Sequence, residues 1–122
     1  MIQKNLIHLF CMSLENNIIA EYIDEVESLF IIEREDYIEL QMIRIKKEFR
    51  NKGIANILME RLCKYADDMN KIILLDPMPP KDEIEVSKSR LIDFYLKFGF
   101  KLNKKKDYSL PTYSYKREPF AF

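Results

Sequence analysis

The 122-residue chain carries 20 Lys plus Arg against 20 Asp plus Glu, so its formal net charge is zero and no overall field favours nucleic acid or an acidic membrane. Any anion site must therefore be local. With 48% hydrophobic and 33% charged residues, the composition is that of an ordinary globular protein, expected as one domain over residues 1–122. No apolar run approaches the roughly 20 residues that span a bilayer, and the start Met1-Ile2-Gln3-Lys4 lacks a signal-peptide pattern, so a cytoplasmic protein is expected. The two cysteines, Cys11 and Cys63, read as reduced thiols, and the single histidine, His8, argues against a zinc site or a His-based triad; no metal is expected.

In chain order, Leu6, Ile7, Leu9 and Phe10 suit either strand or helix, and Leu14 to Ile23 has a mixed helical period read as helix. Ser28 to Arg34 is a strand by its β-branched and aromatic content. Glu35-Asp36 makes a tight polar turn, and Tyr37 to Lys46 is the hairpin partner. This second strand changes parity. Ile38, Leu40 and Met42 alternate on one face, with Glu39 and Gln41 on the other, and then Ile43 and Ile45 carry the apolar side onward. Side chains on a strand have a period of two, so the flip implies either burial on both faces or an inserted bulge residue near Met42.

Lys46 to Lys52 is a charged connector into a helix from about Gly53 to Asn70, with Ile54, Ile57, Leu58, Leu62, Tyr65 and Ala66 as its apolar stripe. Lys71 to Leu75 is a short buried strand. Asp76-Pro77-Met78-Pro79-Pro80 is a stiff non-helical loop. Ser87 or Ser89 caps a helix running to about Phe98, with Gly99 as its left-handed terminator, and strands near Phe100 to Asn103 and Thr112 to Arg117 form an antiparallel pair. The class is α+β, a mixed sheet layered with helices.

Glycine occurs only twice, at Gly53 and Gly99, so each marks a special backbone geometry. Gly53 lies in Arg50-Asn51-Lys52-Gly53-Ile54-Ala55, where a strand gives way to a helix. A helix start presents free N–H groups and partial positive charge, which together bind phosphates, and Lys46, Lys47, Arg50 and Lys52 add local charge. The plain alternative is a solvated basic turn. The pattern is neither a dinucleotide fingerprint nor a Walker loop.

R-x-x-G-x-A at such a turn resembles the acetyl-CoA signature of the GNAT (N-acetyltransferase) superfamily. The resemblance implies a mostly antiparallel sheet with a bulged central strand. It implies that amides from Asn51 through Lys52, Gly53, Ile54 and Ala55 to Asn56 cradle the cofactor's pyrophosphate, beside Arg50, and that backbone groups of Ile43 and Ile45 pair with its pantetheine arm. A second stretch, Phe94-Tyr95-Leu96-Lys97-Phe98-Gly99-Phe100, is similar to the second motif of the family, L/F-Y-x-K-x-G-F, at every defined position. The bland reading of Leu91, Phe94, Tyr95 and Phe98 is one apolar helix face. Two motifs in the right order, using both glycines, are more specific than either alone. From Ser87 to Phe100 the chain resembles compact acetyltransferases of bacteriophages and mobile elements.

The resemblance covers about residues 37–102 and implies an acetyl-CoA-dependent N-acetyltransferase acting on a primary amine of a small molecule or on a protein lysine. In it, Tyr95 protonates the departing CoA thiolate. Glu39, eleven residues before Arg50, matches the base position of histone-acetylating members; its alternative is a solvent-facing strand glutamate, and a water-relayed mechanism needs no fixed base. The pattern departs at Ala55, an accepted variant, at Lys47, where proline is frequent, and before Tyr95, where Lys88 and Arg90 stand near a missing asparagine.

A non-catalytic CoA-binding or protein-interaction module on the same scaffold is the competing reading. A nucleic-acid partner is not expected, because the cluster Lys101, Lys104, Lys105, Lys106 is followed by Asp107 in a neutral chain. No membrane partner is expected either. The acceptor is not legible, although Asp76, Asp82, Glu83 and Glu85 would suit a cationic amine. The C-terminal Pro119-Phe120-Ala121-Phe122 suits either a homodimer contact or a cover over its own core.

Overall fold

The fold is described from a computed structural model in which residues 14–78, 87–104 and 113–120 are described. The readings at Leu6 to Cys11, at Pro79 to Glu85, at Lys105 to Thr112 and at Ala121-Phe122 lie outside these residues.

Helix α1 (Leu14–Ile19) leads into strand β1 (Val26–Glu33) and, after a three-residue turn, strand β2 (Tyr37–Ile45). The Arg34 N–H donates to the Tyr37 carbonyl at 2.8 Å and closes this hairpin. A 3₁₀ turn (Lys47–Phe49) and helix α2 (Ile54–Met69) return the chain to strand β3 (Ile72–Leu75). Helix α3 (Lys88–Leu96) and strands β4 (Lys101–Leu102) and β5 (Tyr115–Arg117) complete it. The sheet order is β1-β2-β3-β5-β4. Every pairing is antiparallel except β2 with β3, which is parallel. A parallel pair needs a long crossover, and α2 is that crossover. The expected α+β sheet, mostly antiparallel and layered with helices, is the one observed.

Helix α2 buries Ile54, Leu58, Met59, Leu62, Cys63 and Ala66. The stripe is wider than the periodicity suggested, because Met59 and Cys63 turn inward as well. These side chains meet Ile38, Leu40 and Ile45 of β2, Ile73 and Leu75 of β3, and Tyr95, Phe100 and Tyr115 in one core. Leu58 is fully buried; truncation to alanine there would cost about 2–5 kcal/mol. Cys63 is a free thiol, and burial pushes its pKa up to about 11.

The helix ends are pinned by polar pairs. Asn70 is left-handed (φ 55°) after α2. Next to it Lys71 is buried, its Nζ donating to Glu33 and to the Arg34 carbonyl, both at 2.7 Å. Gly99 is left-handed (φ 92°) after α3, and a Cβ on it would lie 3.8 Å from Nε of Arg117. Arg117 donates from Nε to the Phe98 carbonyl at 2.7 Å and grips Asp67 of α2 through both terminal nitrogens, at 2.8 and 3.1 Å.

The parity change in β2 is a bulge. Phe30 is opposite Met42 and Ile31 is opposite Leu40, which leaves Gln41 as the extra residue. Ile38 and Leu40 before it are buried, and so is Ile45 after it. Met42, expected on the Ile38 face, is 45% exposed instead, because the extra residue turns the strand by half a period before Met42 is reached.

Candidate functional site

Strands β2 and β3 pair through only three positions, Tyr37 with Ile72, Ile38 with Ile73 and Glu39 with Leu74. Then β3 stops at Leu75 while β2 continues to Ile45. The pairing of the two strands thus ends at Glu39, just before the bulge, and beyond it the inner edge of β2 has no strand partner among the described residues. Backbone groups alternate in direction along a strand. The Lys46 N–H points toward β1, donating to the Glu25 carbonyl at 2.9 Å, so those of Ile45 and Ile43 point the other way, toward the β3 side. For Ile45 this is directly visible: its carbonyl accepts from Arg50 Nε at 2.9 Å.

That contact folds the turn after β2 back on the strand end. Asn51 (φ 61°) and Gly53 (φ 80°) are both left-handed, a conformation that asparagine tolerates and glycine adopts freely. Gly53 is the N-cap of α2 and has no side chain with which to cap it. The Ile57 N–H is the first to find its helical partner, the Gly53 carbonyl at 3.2 Å. The amides of Ile54, Ala55 and Asn56 precede it, in the positions that a helix itself leaves unpaired. Nothing lies within 4 Å of the place where a Cβ on Gly53 would stand. No acidic residue sits in the first turn of α2, and Lys52 leans over the Phe49 ring, 5.6 Å from its centroid. These residues fit a phosphate-bearing group: open amides, a left-handed glycine with space above it and flanking cations.

Helix α3 starts differently, with Ser87 Oγ accepting from the Arg90 N–H at 3.2 Å. Two turns on, Tyr95 is 6% exposed, edge-on to Phe94 (5.3 Å between centroids) and to Phe100 (5.6 Å). Burial pushes its phenol up to about 12, so it keeps its proton throughout the neutral range. Its hydroxyl has no hydrogen-bond partner among the described residues.

Glu39 lies on the other face of the sheet. Ile38 and Ile73 are opposite each other and belong to the core that holds Tyr95. Glu39 and Leu74, one position along, therefore face away from it. The solvent-facing alternative for Glu39 is overturned: the residue is only 8% exposed. Its Oε1 accepts from the Tyr113 hydroxyl at 2.9 Å, and its Oε2 meets Arg34 Nε at 3.4 Å. The Tyr113 hydroxyl in turn accepts from Gln41 Nε2, the bulge residue, at 2.8 Å. Burial and the neighbouring Glu39 and Asp76 raise the Tyr113 phenol above its ordinary value. Asp76, just past β3, holds Ser114 through its N–H (2.7 Å) and hydroxyl (2.5 Å).

The structure thus joins the end of β2 to the segment Arg50 to Asn56 through the Ile45–Arg50 contact, with Tyr95 on the core side of the sheet and Glu39 on the opposite face. Sequence reasoning missed Tyr113 and Arg34. The one available signal was Glu39 itself on the polar face, which needs a partner once it is buried. Among the described residues no group of three or more His, Cys, Asp and Glu is placed to hold a metal, and no helix is long and apolar enough to cross a membrane.

Residues 8–102 match the acetyltransferase (GNAT) domain. That is well over half of the chain, which belongs to this family of acetyltransferases that draw on acetyl-CoA. The crystal structure of the anti-CRISPR protein AcrVA5 is similar, with a TM-score of 0.57 and 19% identity over 72% of this chain and 85% of that one. At that identity the likeness is one of fold. No curated protein matches.

Proposed function

We propose that the chain is a single-domain N-acetyltransferase that takes its acetyl group from acetyl-CoA and gives it to a primary amine, of a small molecule or of a protein lysine. The observation that supports this most is the start of α2 without a side-chain cap, built on the family's R-x-x-G-x-A turn and following the stretch of β2 whose inner edge has no strand partner among the described residues. The amides from Asn51 to Asn56 would hold the pyrophosphate, with Arg50 and Lys52 flanking, and Ile43 and Ile45 would pair with the pantetheine arm.

Bound acetyl-CoA would supply the activated thioester. The chain's residues have the remaining tasks. The N–H near Ile43 polarises the thioester carbonyl. Glu39, a buried carboxylate, takes a proton from the acceptor's ammonium so that nitrogen arrives with a free lone pair. The acylated nitrogen then sheds its second proton to solvent, while Tyr95, which burial keeps protonated, gives its proton to the departing sulfur and regains one from solvent. Carboxylates at Glu39 and Asp76 on the acceptor side favour a cationic amine.

Thermal unfolding with acetyl-CoA, with CoA and ATP as comparisons, tests the reading. Ligand at about 100 times its dissociation constant adds roughly 2.7 kcal/mol, enough to raise the midpoint by several degrees in a domain of this size. A rise with acetyl-CoA and CoA that is absent with ATP is expected. No rise at millimolar acetyl-CoA would remove the enzyme reading. Binding without turnover of any amine would instead leave a CoA-binding module.

A further inference from the structure

Tyr113 reaches Glu39 from just before β5, a strand that is not a neighbour of β2 in the sheet. In the sheet, β3 separates β5 from β2. Leu75, the last residue of β3, is opposite Tyr115, so Tyr113, two residues earlier on an antiparallel neighbour, lies past the end of β3. From there its side chain extends beyond the last residue of β3 and meets β2 twice, at Glu39 (2.9 Å) and at Gln41 (2.8 Å). The phenol is a strap at the point where β2 and β3 diverge.

The strap is anchored at both ends. On its own side the backbone at Tyr113 and Ser114 is held from two elements: Asp76 takes the Ser114 N–H and hydroxyl, and Asn103 binds the Tyr113 carbonyl (Nδ2, 3.2 Å) and the Ser114 carbonyl (N–H, 2.9 Å). On the β2 side the hydrogen bonds have a fixed direction. The Gln41 contact is made by Nε2, which can only donate, so the Tyr113 oxygen accepts from it and turns its own proton to Glu39 Oε1. By contrast, the other partner of Glu39 is a poor restraint: Arg34 is 56% exposed, and its Nε lies at 3.4 Å. An incoming ammonium can take the place of Arg34 at Oε2 while the phenol keeps Oε1 in place.

We infer that Tyr113, oriented by Gln41, is a positioning residue that holds the Glu39 carboxylate at the divergence of β2 and β3, with Oε2 turned to the acceptor amine. This rests on the acetyltransferase reading above and adds to it a residue that acts only through Glu39. The proton moved is the same: one proton passes from the acceptor ammonium to Glu39 and on to solvent, and Tyr113 gains and loses none.

The test is steady-state release of CoA thiol from acetyl-CoA with propylamine at high concentration as a minimal acceptor, and with spermidine and a lysine-bearing peptide alongside. Tyr113→Phe keeps the ring and removes the strap; kcat should fall about tenfold, with KM for acetyl-CoA unchanged. In a Glu39→Gln background the same substitution should change kcat less than twofold, since the group it positions is gone. Gln41→Met, which removes only the donor to the phenol, should lower kcat severalfold in the same direction and serves where Tyr113→Phe does not fold. Equal losses with and without Glu39, or a Tyr113→Phe or Gln41→Met enzyme within twofold of wild type, overturn the inference and leave the acetyltransferase reading standing. A wild-type chain that releases no thiol with any of the three amines overturns both.

Discussion

Helices α2 and α3 end alike and begin differently. Both C-terminal ends meet at Arg117, which takes Asp67 from α2 and the Phe98 carbonyl just past α3. At the N-terminal ends the chemistry diverges. Ser87 closes α3 with a side-chain cap, while Gly53 leaves α2 with none and with open space above it. A capped start is satisfied and contributes only to folding. The left-handed start of α2 is one that glycine adopts freely and that a serine would enter only with strain, so its first amides have no side-chain cap of their own. In the acetyltransferase reading proposed above, α2 would contribute its backbone start and α3 a side chain from its third turn, Tyr95.

The largest expected effect breaks the shared end. Asp67→Ala leaves Arg117, whose side chain is 4% exposed, with an uncompensated buried charge. The cost should be about 3 kcal/mol, seen as a fall of roughly 10 °C in the unfolding midpoint. The hydrogen bond from Arg117 holds the Asp67 carboxyl below its ordinary value. The pair's contribution is therefore complete above the unfolded carboxylate range, near pH 3.9, and is lost as pH falls through the lower folded value. The gap in midpoint between wild type and Asp67→Ala should narrow in acid. A gap that widens would mean that the pair is not what Asp67 contributes.

Next comes the side chain that α3 supplies. Tyr95→Phe keeps the edge-on ring contacts and deletes the hydroxyl, so kcat should fall about 100-fold, with acetyl-CoA affinity by titration calorimetry within twofold of wild type. An unchanged kcat would return Tyr95 to the role of a core aromatic.

The two helix starts can be set against each other directly. Asparagine tolerates the left-handed backbone at position 53, so Gly53→Asn should bind acetyl-CoA nearly as well as wild type. Gly53→Asp, similar in shape but negatively charged, should bind roughly tenfold more weakly. Equal affinities for the two variants would show that no phosphate approaches this turn. Smallest of all, Ser87→Ala should cost about 1 kcal/mol of stability in denaturant unfolding and leave acetyl-CoA affinity untouched.

Much of this comparison was legible beforehand, because local chemistry sets it. The glycine at a strand-to-helix turn, the serine before an apolar helical period and the parity flip in β2 are each readable within a few residues, and each appears in the fold close to where it was expected. The bulge was placed near Met42 and lies at Gln41, a shift that matters because it sends Met42 outward and pairs Gln41 with Tyr113. What was not legible was long in sequence. Tyr113 meets Glu39 across 74 positions and Arg117 meets Asp67 across 50, and no periodicity or spacing reports a contact between groups so far apart.

The sequence by itself determined the family turn, the two glycine positions, the alternation of strand and helix and the aromatic face that carries Tyr95, because each depends on dihedral preference or on side-chain period alone. Only the tertiary structure decided that Glu39 is buried rather than wet, that β3 ends at Leu75 while β2 runs on to Ile45, and that a tyrosine from beyond the end of β3 meets Glu39. Those depend on which strand lies beside which, and sheet order is set by the crossover of α2 and by packing across the whole core.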